Sequence, residues 1–191
     1  MYMEKDEIFE TAERYVKSTG RSVFLTGKAG TGKTTFLKYI TQTTTKRFVV
    51  LAPTGVAAIN AGGSTIHSFF QLPLCPYLPD VKELITEYQM PERYRSLRKE
   101  RVKIIRTLDL LIIDDLGTEF TNAFVASQLF TCISERELNR HSTIISTNLS
   151  LRELQARYSD RVFSRITSTY EICKITGKDI RLQRRRRGRY G

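Results

Sequence analysis

Ile8, Phe9, Ala12, Tyr15 and Val16 recur at helical spacing, so the first eighteen residues predict an amphipathic helix that Gly20 stops. The short apolar run SVFLT at 22–26 predicts a buried strand, followed by a Gly-rich turn and a helix over about 33–41. RFVVL at 47–51 predicts a second strand, 56–60 a short helix, and Gly62-Gly63 its end. A Pro-rich loop is expected at 72–79 and a helix at 80–88. Pro91 suits the first turn of a helix reaching about Thr107, with Tyr94, Leu97, Val102 and Ile105 on one face. LDLLII at 108–113 is the most apolar strand, and 122–138 reads as a helix with Phe124, Leu129, Ile133 and Leu138 as core candidates. Strand 143–146, short helices at 151–158 and 160–166, and an alternating strand at 169–175 complete the pattern. Strands alternating with helices predict an α/β fold, a parallel sheet covered by helices on both faces.

Length and composition keep this picture within one globular domain. The chain has 191 residues, 40% hydrophobic and 27% charged, with no internal repeat and no dividing linker. No apolar run approaches the ~20 residues that cross a bilayer, and the acidic N-terminus lacks a signal-peptide core, so a cytoplasmic location away from membranes is expected. Cys75, Cys132 and Cys173 are far apart and form no CxxC pair, which reads as reduced thiols without a zinc site. Charge changes the picture more. The net charge of +11 is carried by two stretches. Residues 92–106 hold seven basic and two acidic side chains, and residues 181–191 hold six arginines and no acid. Such stretches attract nucleic-acid phosphates; the alternative is a solvated helix face and a solvated tail.

The chemistry begins after the first strand. Gly27-Lys28-Ala29-Gly30-Thr31-Gly32-Lys33-Thr34 matches GxxxxGK[ST] between a predicted strand and a predicted helix. Glycines there let backbone N–H groups point inward at phosphates, and the helix N-terminus adds partial positive charge. Lys33 is expected to reach the β- and γ-phosphates of ATP and Thr34 to ligate Mg²⁺, with Thr35 completing the nucleotide-binding set. LLIIDD at 110–115 is an apolar strand ending in two acids, a placement beside the P-loop in this fold class. Asp114 is the candidate metal ligand and Asp115 the candidate to orient the attacking water, with Glu119 as the fallback.

Two resemblances meet at that strand. VFLTGKAGTGKTTFLKYI and APTGVAAINAGGSTIHSFF resemble superfamily-1 DNA helicases of the PIF and RecD-like group, over roughly residues 8–111. The second of these segments contacts single-stranded DNA in such helicases. The resemblance therefore implies that Pro53, Thr54, Gly55, His67 and Phe69 lie near the strand. For His67 and Phe69, core packing is the open alternative. DLLIIDDLGTEF, STIISTNLSLREL and YSDRVFSRI resemble bacterial replicative-helicase loaders of the DnaC and DnaI type, which are AAA+ ATPases, over roughly 110–180. That resemblance makes Asn148 a polar sensor beside the γ-phosphate and Arg161 or Arg165 an arginine finger given to a neighbouring subunit. It also implies a homo-oligomer with shared sites and a replicative helicase as partner.

Together these imply a P-loop NTPase of AAA+ or RecA-like type: a single ATPase domain over 1–180, a basic tail over 181–191, and a three-layer sandwich around a mainly parallel sheet. After Asp115 the sequence matches neither the helicase-type DE pair nor the later glutamine motif or second motor domain. Strand translocation by a monomer is therefore not expected. An ATPase in replication or repair is the leading expectation. A nucleotide-dependent DNA- or partner-binding module with little turnover is the alternative.

Overall fold

All five expected strands form, and a sixth appears that the hydrophobic pattern does not mark. The structure, a computed structural model, describes residues 7–70, 92–119 and 123–175. Helix α1 (Glu7–Arg14) runs on through a π-helical turn at Tyr15–Thr19 and ends at Gly20 in the left-handed conformation. There follow β1 (Ser22–Thr26), α2 (Lys33–Thr43), β2 (Phe48–Ala52), α3 (Gly55–Ala61), β3 (Ser64–Thr65) and α4 (Ile66–Phe70). Further along the chain come α5 (Glu92–Thr107), β4 (Leu110–Leu116), α6 (Ala123–Leu138), β5 (Ser142–Thr147), α7 (Leu151–Tyr158), α8 (Asp160–Thr169) and β6 (Tyr170–Lys174). The Pro-rich loop at 72–79, the helix expected at 80–88, Pro91 and the arginine tail lie outside the described residues.

The strands pair in the order β3-β2-β4-β5-β1-β6, and every pairing is parallel. Parallel strands place all their C-terminal ends along one edge, where ligands bind in open α/β sheets. Side chains alternate between faces. Val23, Leu25, Leu110, Ile112 and Ile144 pack against α1, α2 and Ala61 of α3. Phe24, Leu111, Ile113 and Ile145 pack against residues of α4, α5, α6, α7 and α8. The α/β three-layer expectation therefore holds.

Three details differ from the sequence reading. Strand β3 has two residues, too few for a periodic signal; it pairs through Leu51–Ser64 and Ala52–Thr65, next to Gly63, which lies close against β2. A Cβ on Gly63 would lie 2.3 Å from Val50 O. Strand β4 does not end at the acids but runs through them to Leu116, with an irregular register between Ile113 and Leu116 and Asp115 at φ +58°. Leu138 is 83% exposed, because it is the last residue of α6, where the helix has left the sheet. Leu97 is likewise exposed, since α5 meets the core nearer its C-terminal end, through Ile104 and Ile105.

One buried charge knits the second face together. Arg136 of α6 is fully buried. It donates to Thr143 Oγ1 at 2.9 Å, to Leu108 O at 3.2 Å, and to the carbonyls of Ile105 and Ser142. It thereby satisfies carbonyls at the end of α5, before β4 and at the start of β5, which burial would otherwise leave without donors.

Candidate phosphate and metal site

The candidate site lies on the edge formed by the strand C-termini. Strand β1 ends at Thr26, and the turn to α2 uses Gly30 at φ +81° and Gly32 at φ +104°, conformations costly for residues with a Cβ. Gly27 is confined by its neighbour as well: a Cβ there would lie 2.3 Å from Ile175 O, where the chain leaves β6. Lys28, Ala29 and Thr35 are exposed, and Thr31 is buried with its hydroxyl donating to Lys28 O at 2.9 Å.

Lys33 opens α2 and is only 6% exposed. Its ammonium donates to Gly27 O at 2.6 Å, Lys28 O at 3.0 Å and Asn148 Oδ1 at 2.7 Å. Thr34 Oγ1 donates to Asp114 Oδ2 at 3.1 Å, and Asp114 is 2% exposed. A hydroxyl and a carboxylate oxygen side by side are the hard donors that Mg²⁺ takes, usually alongside waters and substrate phosphates. The glycine turn, the lysine and this oxygen pair fit ATP with Mg²⁺.

Asn148 joins the two halves. It follows β5, and its Nδ2 donates to Asp115 Oδ1 at 2.8 Å while its Oδ1 accepts from Lys33. The turn that carries it is held on three sides. Thr147 Oγ1 donates to Leu116 O at 2.6 Å, Thr26 Oγ1 donates to Leu149 O at 2.7 Å, and Ser150 forms a reciprocal capping box with Glu153. Sequence reasoning did not find the roles of Thr26 and Thr147, because a buried threonine in a strand looks like any other. The Ser-x-x-Glu signature at 150–153 was readable.

The remaining candidates separate. The carboxylate of Glu119 accepts from Gly117 N at 2.9 Å and from the Tyr158 hydroxyl. Arg157 donates to the Glu119 carbonyl at 2.7 Å. Glu119 thus braces the loop after β4 and is poorly placed as a substitute base. Arg165 is paired with Glu137 at 2.9 Å and lies over the Phe130 ring, whereas Arg161 is exposed on α8. On the neighbouring part of the edge, Pro53, Thr54 and Gly55 join β2 to α3, and Thr54 Oγ1 caps α3 by accepting from Ala57 N at 3.3 Å. His67 is exposed on α4. Of the two readings left open for Phe69, the structure has core packing: it is 8% exposed, with Phe70 edge-on at 5.1 Å and Arg101 over its ring.

A six-stranded parallel sheet with a glycine-rich turn at its edge, closed by a lysine, a threonine and a strand-borne aspartate, defines a P-loop NTPase fold. Residues 1–117 match the family described as PIF1-like helicase, and the chain belongs to that family. It is 29% identical over 106 residues to the ATP-dependent DNA helicase Pif1 of Campylobacter jejuni, covering 54% of this chain and 23% of the relative. The crystal structure of the Pif1 helicase from Bacteroides in complex with ADP-AlF3 and single-stranded DNA superposes with a TM-score of 0.59 at 25% identity, over 92% of this chain and 43% of that one. The chain thus spans under a quarter of that curated relative and about two-fifths of the solved one. A DNA replication initiation factor superposes with a TM-score of 0.62 over 98% of this chain and 51% of its own, at 17% identity, which shows a shared fold alone. The Pif1 likeness reaches well past residue 110, so it is not confined to the first half. The loader-like resemblance of 110–180 has only fold likeness beside it.

Proposed function

We propose that this chain binds ATP with Mg²⁺ and hydrolyses it as part of a PIF1-like DNA-directed ATPase acting in replication or repair. The observation that carries the reading is the convergence of Lys33, Thr34, Asp114 and Asn148 on one point of the sheet edge. In this reading the N–H groups of Gly27 to Thr35 cradle the phosphates and Lys33 neutralises their charge. Thr34 and Asp114 hold the metal, and Asp115 orients the attacking water. Magnesium, when bound, offsets the charge on the phosphoryl group being transferred. Single-stranded DNA is the proposed polymer. Support comes from the DNA in the solved Bacteroides complex, from the exposed Gly55 and His67, which follow β2 and β3 at the other end of the same sheet edge, and from the basic helix α5.

Of the two finger candidates, Arg161 suits donation to a neighbouring subunit, since Arg165 is engaged within its own chain. The test is phosphate release measured across protein concentrations, with and without single-stranded DNA. DNA stimulation is expected, together with specific activity that rises with concentration and falls at least tenfold in Arg161→Ala while ATP still binds. Wild-type turnover in Arg161→Ala would remove the finger.

A second reading is a nucleotide-dependent DNA- or partner-binding module with little turnover. Asp115 favours it: the side chain is short for a water-orienting acid, the backbone sits at φ +58°, and Oδ1 is engaged by Asn148. ATP-dependent DNA binding without phosphate release would select this reading.

A further inference from the structure

We propose that Ser146 is a positioning residue of the metal site, its hydroxyl donating to the Asp114 carboxylate when that site is filled. The proposal rests on the ATP and Mg²⁺ reading above and extends it to a residue on the neighbouring strand.

The irregular stretch of β4 faces a single residue of β5. Ile113 stands opposite Ile145, and Leu116 stands opposite Thr147. Asp114 and Asp115 therefore share one position on the partner strand, that of Ser146. Two residues against one make a bulge, which interrupts the ladder and re-aims side chains, often beside an active site.

Ser146 points to the same side of the sheet as Asp114. Ile144 packs in the cluster that holds Phe36, Leu37 and Ile40 of α2. Alternation returns Ser146 to that face, level with Leu25 of the same cluster. Asp114 is on that face too, since it accepts from Thr34 of α2. Neighbouring strands lie about 4.8 Å apart. The hydroxyl thus has the carboxylate on the adjoining strand, and it swings toward it by turning about one bond.

That hydroxyl is otherwise unused. Ser146 is fully buried, and its Oγ has no hydrogen-bond partner among the described residues. The other hydroxyls of β5 are all engaged: Ser142 donates to Gly20 O, Thr143 accepts from Arg136, and Thr147 donates to Leu116 O. Ser134 Oγ is also without a partner, but it sits in helix α6, where a serine can turn to the carbonyl four residues before it. A serine in a strand has no such carbonyl. An unpaired buried hydroxyl weakens the unliganded fold, so alanine would serve β5 better for folding alone. What serine adds is a second donor for the carboxylate that already accepts from Thr34. Donors of this kind fix the orientation of a metal-binding side chain.

The experiment titrates Mg²⁺ into the full chain at a fixed ADP concentration, with bound ADP read by equilibrium dialysis, for wild type, Ser146→Ala, Ser146→Cys and Asp114→Asn. Ser146→Ala is expected to need about tenfold more Mg²⁺ for half of the gain in ADP binding, the scale on which partners of metal ligands act. In EDTA it is expected to bind ADP like wild type. Without metal or nucleotide it is expected to melt at or above the wild-type temperature, because the unpaired hydroxyl is gone. Ser146→Cys keeps the shape but offers only a weak donor, and it is expected to need more Mg²⁺ as well. An unchanged Mg²⁺ midpoint in Ser146→Ala overturns the proposal. So does a wild-type midpoint in Ser146→Cys, which would assign the effect to packing. An equal loss of ADP binding in EDTA, or melting several degrees below wild type, overturns it by showing a structural role. Failure of the parent reading looks different: ADP binding in wild type would not respond to Mg²⁺, or Asp114→Asn would respond as fully as wild type.

Discussion

Lys33 is held almost out of solvent by oxygen atoms, a setting that suits a cation meant to meet a polyanion. Its contacts arise from local sequence, since the GKAGTGKT turn places the lysine opposite the carbonyls of its own first two residues. The partner across the sheet, Asn148, comes from a segment 115 residues away. No spacing rule connects the two, and only a resemblance pointed to Asn148. Phe69 and Leu138 show where residue type misleads. An aromatic for which DNA contact and core packing were both open went to the core, and a leucine at helical spacing went to solvent. Cys132 offers a test at this scale. Burial pushes its thiol up to about 11, so it stays protonated at neutral pH and the reactive thiolate is scarce. Alkylation of Cys132 by iodoacetamide at pH 7.5, followed by peptide mass spectrometry, should be at least tenfold slower in the folded protein than in urea. Equal rates would show that this part of α6 is not packed as described.

The elements were largely legible, and for different physical reasons. Strands β1, β2 and β4 carry near-continuous apolar runs because parallel strands are buried on both faces, whereas the equally buried β5 carries Ile144 and Ile145 between serines and threonines. Edge strand β6 alternates less cleanly, with Ile172 left exposed. Strand β3 was invisible because two residues, Ser64 and Thr65, are too short for any alternation to show. The continuation of β4 through its acids was missed too, since the left-handed Asp115 has no sequence signature. Elements are joined by more than apolar contact. Arg136 links α6 to the end of α5, to the approach to β4 and to the start of β5, and β5 leads directly into Asn148. Arg136→Met keeps much of the volume but leaves buried carbonyls of three segments without their donor. A loss of about 3 kcal/mol is expected, read from urea denaturation, on the scale of breaking a buried charged network. A change under about 0.5 kcal/mol would mean that water replaces the guanidinium there.

At the scale of the whole molecule, the parallel sheet gathers chemistry from segments spread over more than a hundred residues onto one edge. The phosphate turn, the β2–α3 junction, α4 and Asn148 follow strand C-termini, and the paired acids lie in the last residues of β4. Basic charge lies on a different element, α5, where Lys99 and Lys103 are exposed and four residues apart. If that face binds single-stranded DNA, the double variant Lys99→Glu/Lys103→Glu should weaken binding alike for all sequences. It should also reduce the salt slope by about 0.7 for each phosphate that the protein no longer neutralises. Unaltered affinity and slope would move the DNA to another surface. Sharing of one magnesium between Thr34 and Asp114 is read from the metal dependence of ATP affinity. Titrations of ATP with Mg²⁺ and with EDTA should show magnesium tightening binding at least tenfold in wild type and hardly at all in Asp114→Asn. Full retention of the magnesium effect in Asp114→Asn would mean that the metal is not held by this carboxylate.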